Sequence, residues 1–164
     1  MDHQIPQFSN RSGSPGYLQF KIGIVDVLAA VVESAGSFVL DTIYMPNRKI
    51  PVTYQIGNDD WGAGNEGPDL PLSQFDTLLN APTFRFFRIK ERHINHFGLN
   101  PEFTISGDTT KVVIANFQSA TNTPNNVFHF VLIKNMQHIY PNGINHPLNA
   151  AELNWNWFKQ FSIL

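Results

Sequence analysis

Hydrophobic and polar side chains alternate along much of this chain, and the alternation has the period of a strand. The clearest case is residues 103–117, Phe-Thr-Ile-Ser-Gly-Asp-Thr-Thr-Lys-Val-Val-Ile-Ala-Asn-Phe. Phe103 and Ile105 alternate with Thr104 before Ser106-Gly107-Asp108, a tight-turn signal. Val112 and Ile114 follow on one face, with Val113 and Ala115 on the other. Branched and aromatic residues split by Gly-Asp predict a hairpin. Residues 49–56 set Ile50, Val52, Tyr54 and Ile56 against Pro51, Thr53 and Gln55. Pro51 lacks an N–H, which places this strand at an edge or bulge. Residues 127–134, Val-Phe-His-Phe-Val-Leu-Ile-Lys, predict another strand. Residues 17–32 form an apolar run whose branched side chains and interior Gly23 favour strand over helix, with Asp26 paired or near an edge. Residues 38–45 add a further segment, closed by Pro46-Asn47.

Three stretches depart from simple alternation. Leu72, Phe75 and Leu79 fall at helical spacing and predict one short helix, stopped by Pro82. In residues 83–97, Phe86 and Phe87 are adjacent and face opposite sides of any regular strand, which calls for a bulge or for cover on both faces. At the C-terminus, Asn149-Ala-Ala-Glu152 has the form of a capping box opening a helix. Against it, Leu153, Trp155, Trp157, Phe161 and Ile163 share one strand face, with Asn154, Asn156, Gln160 and Ser162 on the other, and strand is preferred. Roughly eight β segments and turns rich in Asn, Gly and Pro predict an all-β protein, an antiparallel β-sandwich of jelly-roll or immunoglobulin-like type with at most one short helix.

At 164 residues the length fits one domain. The polar segment 1–16, rich in Ser, Gly and Pro, predicts a flexible arm, leaving 17–164 as the sandwich. That arm has no basic stretch followed by an apolar core, so no secretory signal is expected. The apolar run 22–32 is too short to span a bilayer. With no Cys, disulfides and thiolate chemistry are excluded, and a cytoplasmic location is expected. A net charge of −2 supplies no basic field for double-stranded nucleic acid. Fourteen Phe with only 15% charged residues argue against disorder and for self-association.

Candidate chemistry concentrates in the loop 57–71. Gly62-Ala-Gly-Asn-Glu-Gly67 matches a dinucleotide fingerprint in letters, but Pro68 and Pro71 follow where a helix must open. Asn58, Asp59, Asp60, Asn65, Glu66 and Asp69 offer oxygen ligands among glycines, the composition of a Ca²⁺ loop without the spacing of an EF-hand. Trp61 in their midst is either a sugar-stacking platform or a lid over the core. Six His invite a metal reading, but His93 and His96 face opposite sides of a strand, and His129, His138 and His146 are scattered. Arg85, Arg88, Lys90 and Arg92 among Phe84, Phe86 and Phe87 resemble a single-strand nucleic-acid platform; a strand with Phe inward and Arg outward explains them as well. No Gly-x-Ser-x-Gly elbow occurs.

Ile24-Val-Asp-Val-Leu28 and Asp41-Thr-Ile-Tyr-Met45 resemble motifs of bacterial inclusion-body proteins of the PixA/AidA type. The segments Phe128-His-Phe-Val-Leu-Ile133 and Asn154-Trp-Asn-Trp-Phe158 are similar in character. The resemblance implies a β-sandwich, a cytoplasmic protein that accumulates or self-assembles, and no catalytic residues. The expectation is therefore a non-enzymatic protein acting by self-association or protein interaction, a homo-oligomer without cofactor. The alternative is a carbohydrate- or ligand-binding module using the 57–71 loop with Ca²⁺. A His-dependent metalloenzyme comes third.

Overall fold

The computed structural model describes residues 29–35 and 48–161. The expected arm 1–16, most of the run 17–32 with Gly23 and Asp26, the segment 38–45, both motifs of the inclusion-body resemblance and residues 162–164 lie outside them.

The strand signals at 49–56, 103–117 and 127–134 are realised. Strand β1 is Val31–Ser34, β2 Val52–Gly57, β3 Leu99–Asp108, β4 Val112–Ser119 and β5 Val127–Ile133. They form one sheet in the order β1-β2-β5-β4-β3. The β1–β2 and β2–β5 pairs are parallel, whereas β5–β4 and β4–β3 are antiparallel. Three helices complete the described residues: α1 Phe75–Asn80, preceded by a single 3₁₀ turn, α2 Arg85–Phe97 and α3 Ala150–Phe158. The antiparallel β-sandwich with at most one short helix is thereby corrected to a mixed sheet between helical layers.

The correction has a local cause in each element. Residues 83–97 are not a bulged strand but helix α2, whose buried positions Phe86, Lys90, His93, Ile94 and Phe97 recur at helical spacing. Adjacent Phe86 and Phe87 differ because a helix turns about 100° per residue; Phe86 is fully buried and Phe87 is not. Gly98, at φ 62°, closes α2 in the left-handed conformation that glycine takes without strain. At the C-terminus the helix prevails, with Asn149 as its N-cap. The Asn149 side chain accepts from the Ala151 N–H, and the face of α3 is the inverse of a strand's: Asn154 is 2% exposed while Trp155 is 50% exposed.

Strand β2 is central rather than an edge. Pro51 stands one residue outside the ladder, where its missing donor costs nothing, and its carbonyl accepts from the Val31 N–H. All six residues of β2 are buried, the mark of a parallel strand covered on both faces. The hairpin turn falls later than expected. Gly107, at φ 99°, still pairs with Val113, and the chain reverses at residues 109–111, where Asp108 accepts from the backbone and hydroxyl of Thr110.

The two faces of the sheet carry separate cores. Val31, Val52, Tyr54, Ile56, Phe117, Phe128, Phe130 and Leu132 share one face and pack against Phe75 and Leu79 of α1 and Phe86, Ile94 and Phe97 of α2. On the other face, Ala30, Val32 and Val127 meet Trp157 and Phe158 of α3. Layers of helix, sheet and helix follow from these two apolar faces. Among the described residues no helix is long and apolar enough to cross a membrane.

Candidate acid–base site at the strand ends

The chain leaves parallel strands β2 and β5 at the same end of the sheet, the end where open α/β sheets gather their ligand-binding loops. The loops 58–70 and 134–148 meet there. Asn58 is fully buried and acts as the rivet: its side chain donates to the Leu70 carbonyl at 3.0 Å and accepts from the Asn135 N–H at 2.7 Å. Its own N–H donates to Ile133, and the next N–H, of Asp59, to Met136. The crossing is close. A Cβ on Gly57 would stand 1.7 Å from the Met136 carbonyl oxygen, so only glycine fits there.

This frame holds an acid and a base against each other. The buried Asp60 carboxylate lies 3.0 Å from Nδ1 of His138, with the same oxygen accepting from the Gly62 N–H at 2.9 Å. Arg85, on the first turn of α2, donates to the Asp60 carbonyl oxygen and stacks its guanidinium over the Trp61 ring, 4.9 Å from its centroid. Gln137, beside His138, donates to the Asp59 carboxylate at 3.0 Å. Tyr54 lies buried on the sheet below; burial holds its phenol protonated well above the usual range, with the charges of Arg85 and Asp60 acting on it in opposite senses.

The seven residues singled out in the 57–71 loop therefore divide. Asn58 is structural, Asp59 holds Gln137, Asp60 is half of the dyad, and Trp61 forms a half-buried lid against Gly67 and Arg85. Asn65, Glu66 and Asp69 are exposed, and the Asn65 amide turns back on the Ala63 carbonyl. Among the described residues no group of three or more His, Asp or Glu is arranged to hold a metal ion.

The other His are placed by helix and loop. His93 and His96 are both buried on α2, and each sets Nδ1 against the carbonyl four residues earlier. His93 also stacks on Phe128 at 4.1 Å and lies 3.5 Å from the Glu33 carboxylate. His129 faces α3, its ring 4.3 Å from Trp157.

Sequence reasoning named Asp60 as an oxygen ligand and His138 as one of a scattered set. Their partnership required knowing that two apolar runs, each followed by a polar loop, lie side by side and parallel. The signal available was that Asp60 and His138 each follow closely on a strongly apolar strand segment.

No family model matches the chain, and comparison with curated proteins and with solved structures returns no match.

Proposed function

We propose that this chain carries the acid–base pair of a hydrolytic site acting on an acyl bond, with His138 as the base and Asp60 as the carboxylate that orients it. The observation that carries this reading is the Asp60–His138 contact, made between residues 78 apart at the ends of neighbouring parallel strands. A buried carboxylate on Nδ1 fixes the tautomer that leaves Nε2 as the acceptor, and it stabilises the imidazolium once formed. Carboxylate first and histidine second is also the order in which a serine-hydrolase triad on a parallel sheet presents these two groups.

The proton of an attacking hydroxyl or water passes to Nε2, and from there to the leaving group. Among the described residues His138 makes no hydrogen bond other than that to Asp60, so Nε2 stands available for such a partner.

Hydrolysis of p-nitrophenyl acetate and butyrate by the full chain tests the proposal. Asp60→Asn and His138→Gln are each expected to lower the rate by about two to four orders of magnitude, with the fold intact by circular dichroism. No turnover above the buffer rate, or turnover that survives His138→Gln, overturns it.

One observation favours a second reading, assembly. Strand β3 is ten residues long, and no described strand pairs with its outer side. Its central residues Phe103 to Ser106 carry no charge, and Ile105 is 44% exposed. An open edge with an uncharged centre is a template for another strand, here flanked by Pro101, Glu102 and Asp108. Sedimentation over a range of concentrations tests this, and a strict monomer throughout counts against it.

A further inference from the structure

The β3–β4 turn, the start of β4 and both ends of the 134–148 loop line a cavity of about 380 Å³. That size is within the range of small-molecule sites. Its walls include Val112, Pro147 and Leu148, and the first and last of these pack against Val131, Ile133 and Met136 of the core beneath. The apolar side is therefore backed by a fixed surface.

The polar side is cationic. Lys111 and Lys134 both line the cavity, and among the described residues no Asp or Glu does. Asp108, the acid nearest Lys111 in sequence, spends its Oδ1 on the Thr110 N–H and hydroxyl, at 2.8 and 2.7 Å. Those two bonds from Thr110, with a smaller contribution from the Lys111 charge, hold the Asp108 carboxyl below its usual range. His146 is locked into the wall: the Leu148 N–H donates to Nδ1 at 3.0 Å, so Nε2 carries the proton and donates to the Lys134 carbonyl at 2.7 Å. That bond holds the backbone from which Lys134 projects.

Two lysines in the lining beside an apolar wall, in a chain of net charge −2, favour a ligand with the complementary division. We propose that this cavity binds a small amphiphilic anion, a carboxylate on an aliphatic body, with the carboxylate held by Lys111 and Lys134 and the body laid against Val112, Pro147 and Leu148. The lining shares no residue with the Asp60–His138 pair.

Isothermal titration of the full chain tests it, with octanoate as the probe and 1-octanol as the uncharged control. Octanoate is expected to bind saturably at one site, far more strongly than 1-octanol and less strongly in high salt. The double variant Lys111→Gln/Lys134→Gln is expected to weaken octanoate binding about tenfold or more, the loss of two charge-assisted contacts, with an unchanged melting temperature. Absence of saturable octanoate binding, equal binding of 1-octanol, or full binding by the double variant overturns the proposal.

Discussion

His129 illustrates what burial does to a single titrating ring. It lies between Thr53 and Asn116 in the register of the sheet, with the Trp157 indole against its face, and desolvation lowers its pKa from 6.5 to about 4. The native protein therefore keeps this ring neutral at a pH where the unfolded chain protonates it. A depressed basic group stabilises the fold above pH 6.5, and that contribution is lost progressively as the pH falls toward 4. Discounted for the ring's partial access to water, the loss is on the order of 2 kcal/mol. Urea unfolding at pH 7 and pH 4.5 is expected to show a smaller drop for His129→Phe than for the parent protein. Asp60 makes the complementary case. Its carboxylate is buried between His138 and the Gly62 N–H, so Asp60→Ala is expected to cost about 2–3 kcal/mol by leaving those donors unsatisfied. Glu66→Ala and Asp69→Ala, at exposed positions of the same loop, are expected to stay within about 0.5 kcal/mol in the same measurement.

At the scale of elements, the end of β2 is the least forgiving place in the described structure. Gly57→Ala puts a methyl into the Met136 carbonyl, and backbone must move to admit it. A loss of more than about 3 kcal/mol is expected, read as a collapse of the melting transition or of soluble yield. Capping is gentler: Asn149→Ala is expected to cost about 1 kcal/mol by thermal unfolding, since one helical donor loses its acceptor. The same elements show what was legible beforehand. Strands β2, β4 and β5 were readable because branched and aromatic residues repeat every second position. The short helix at residues 72–80 was readable from Leu72, Phe75 and Leu79. Helix α2 was hidden because its inward face includes Lys90, His93 and His96, residue types that ordinarily mark an outer face. Lys90 is tolerated inside because its ammonium sits over the Phe87 ring at 4.7 Å and pairs with Glu91 at 3.3 Å. Helix α3 was hidden because its apolar residues satisfy both periods at once; the Asn149 cap, the burial of Asn154 and the exposure of Trp155 decide between them. The members of the candidate site were visible as residue types, but not as a pair. Nothing local distinguishes an aspartate that meets a histidine from one that meets water.

For the whole molecule, the open side of β3 bears on solution behaviour. Ile105→Lys places a charge at the centre of that uncharged edge and is expected to reduce any concentration-dependent association seen by sedimentation, leaving the melting temperature nearly unchanged. The order of strands bears on how the molecule is made. Strand β2 lies between a partner that precedes it in the chain and one, β5, that follows only after the helical pair and the hairpin. A ribosome therefore releases β2 long before its second neighbour exists. Until then one flank of a strand buried along its whole length stays open to whatever else is nearby, and chaperone occupancy should be greatest in that interval. Completion of the acid–base pair waits for the same event, because His138 is translated after β5. Any reactivity of the kind proposed would thus begin only once β5 has docked beside β2 and the 134–148 loop has closed over the Asp60 side.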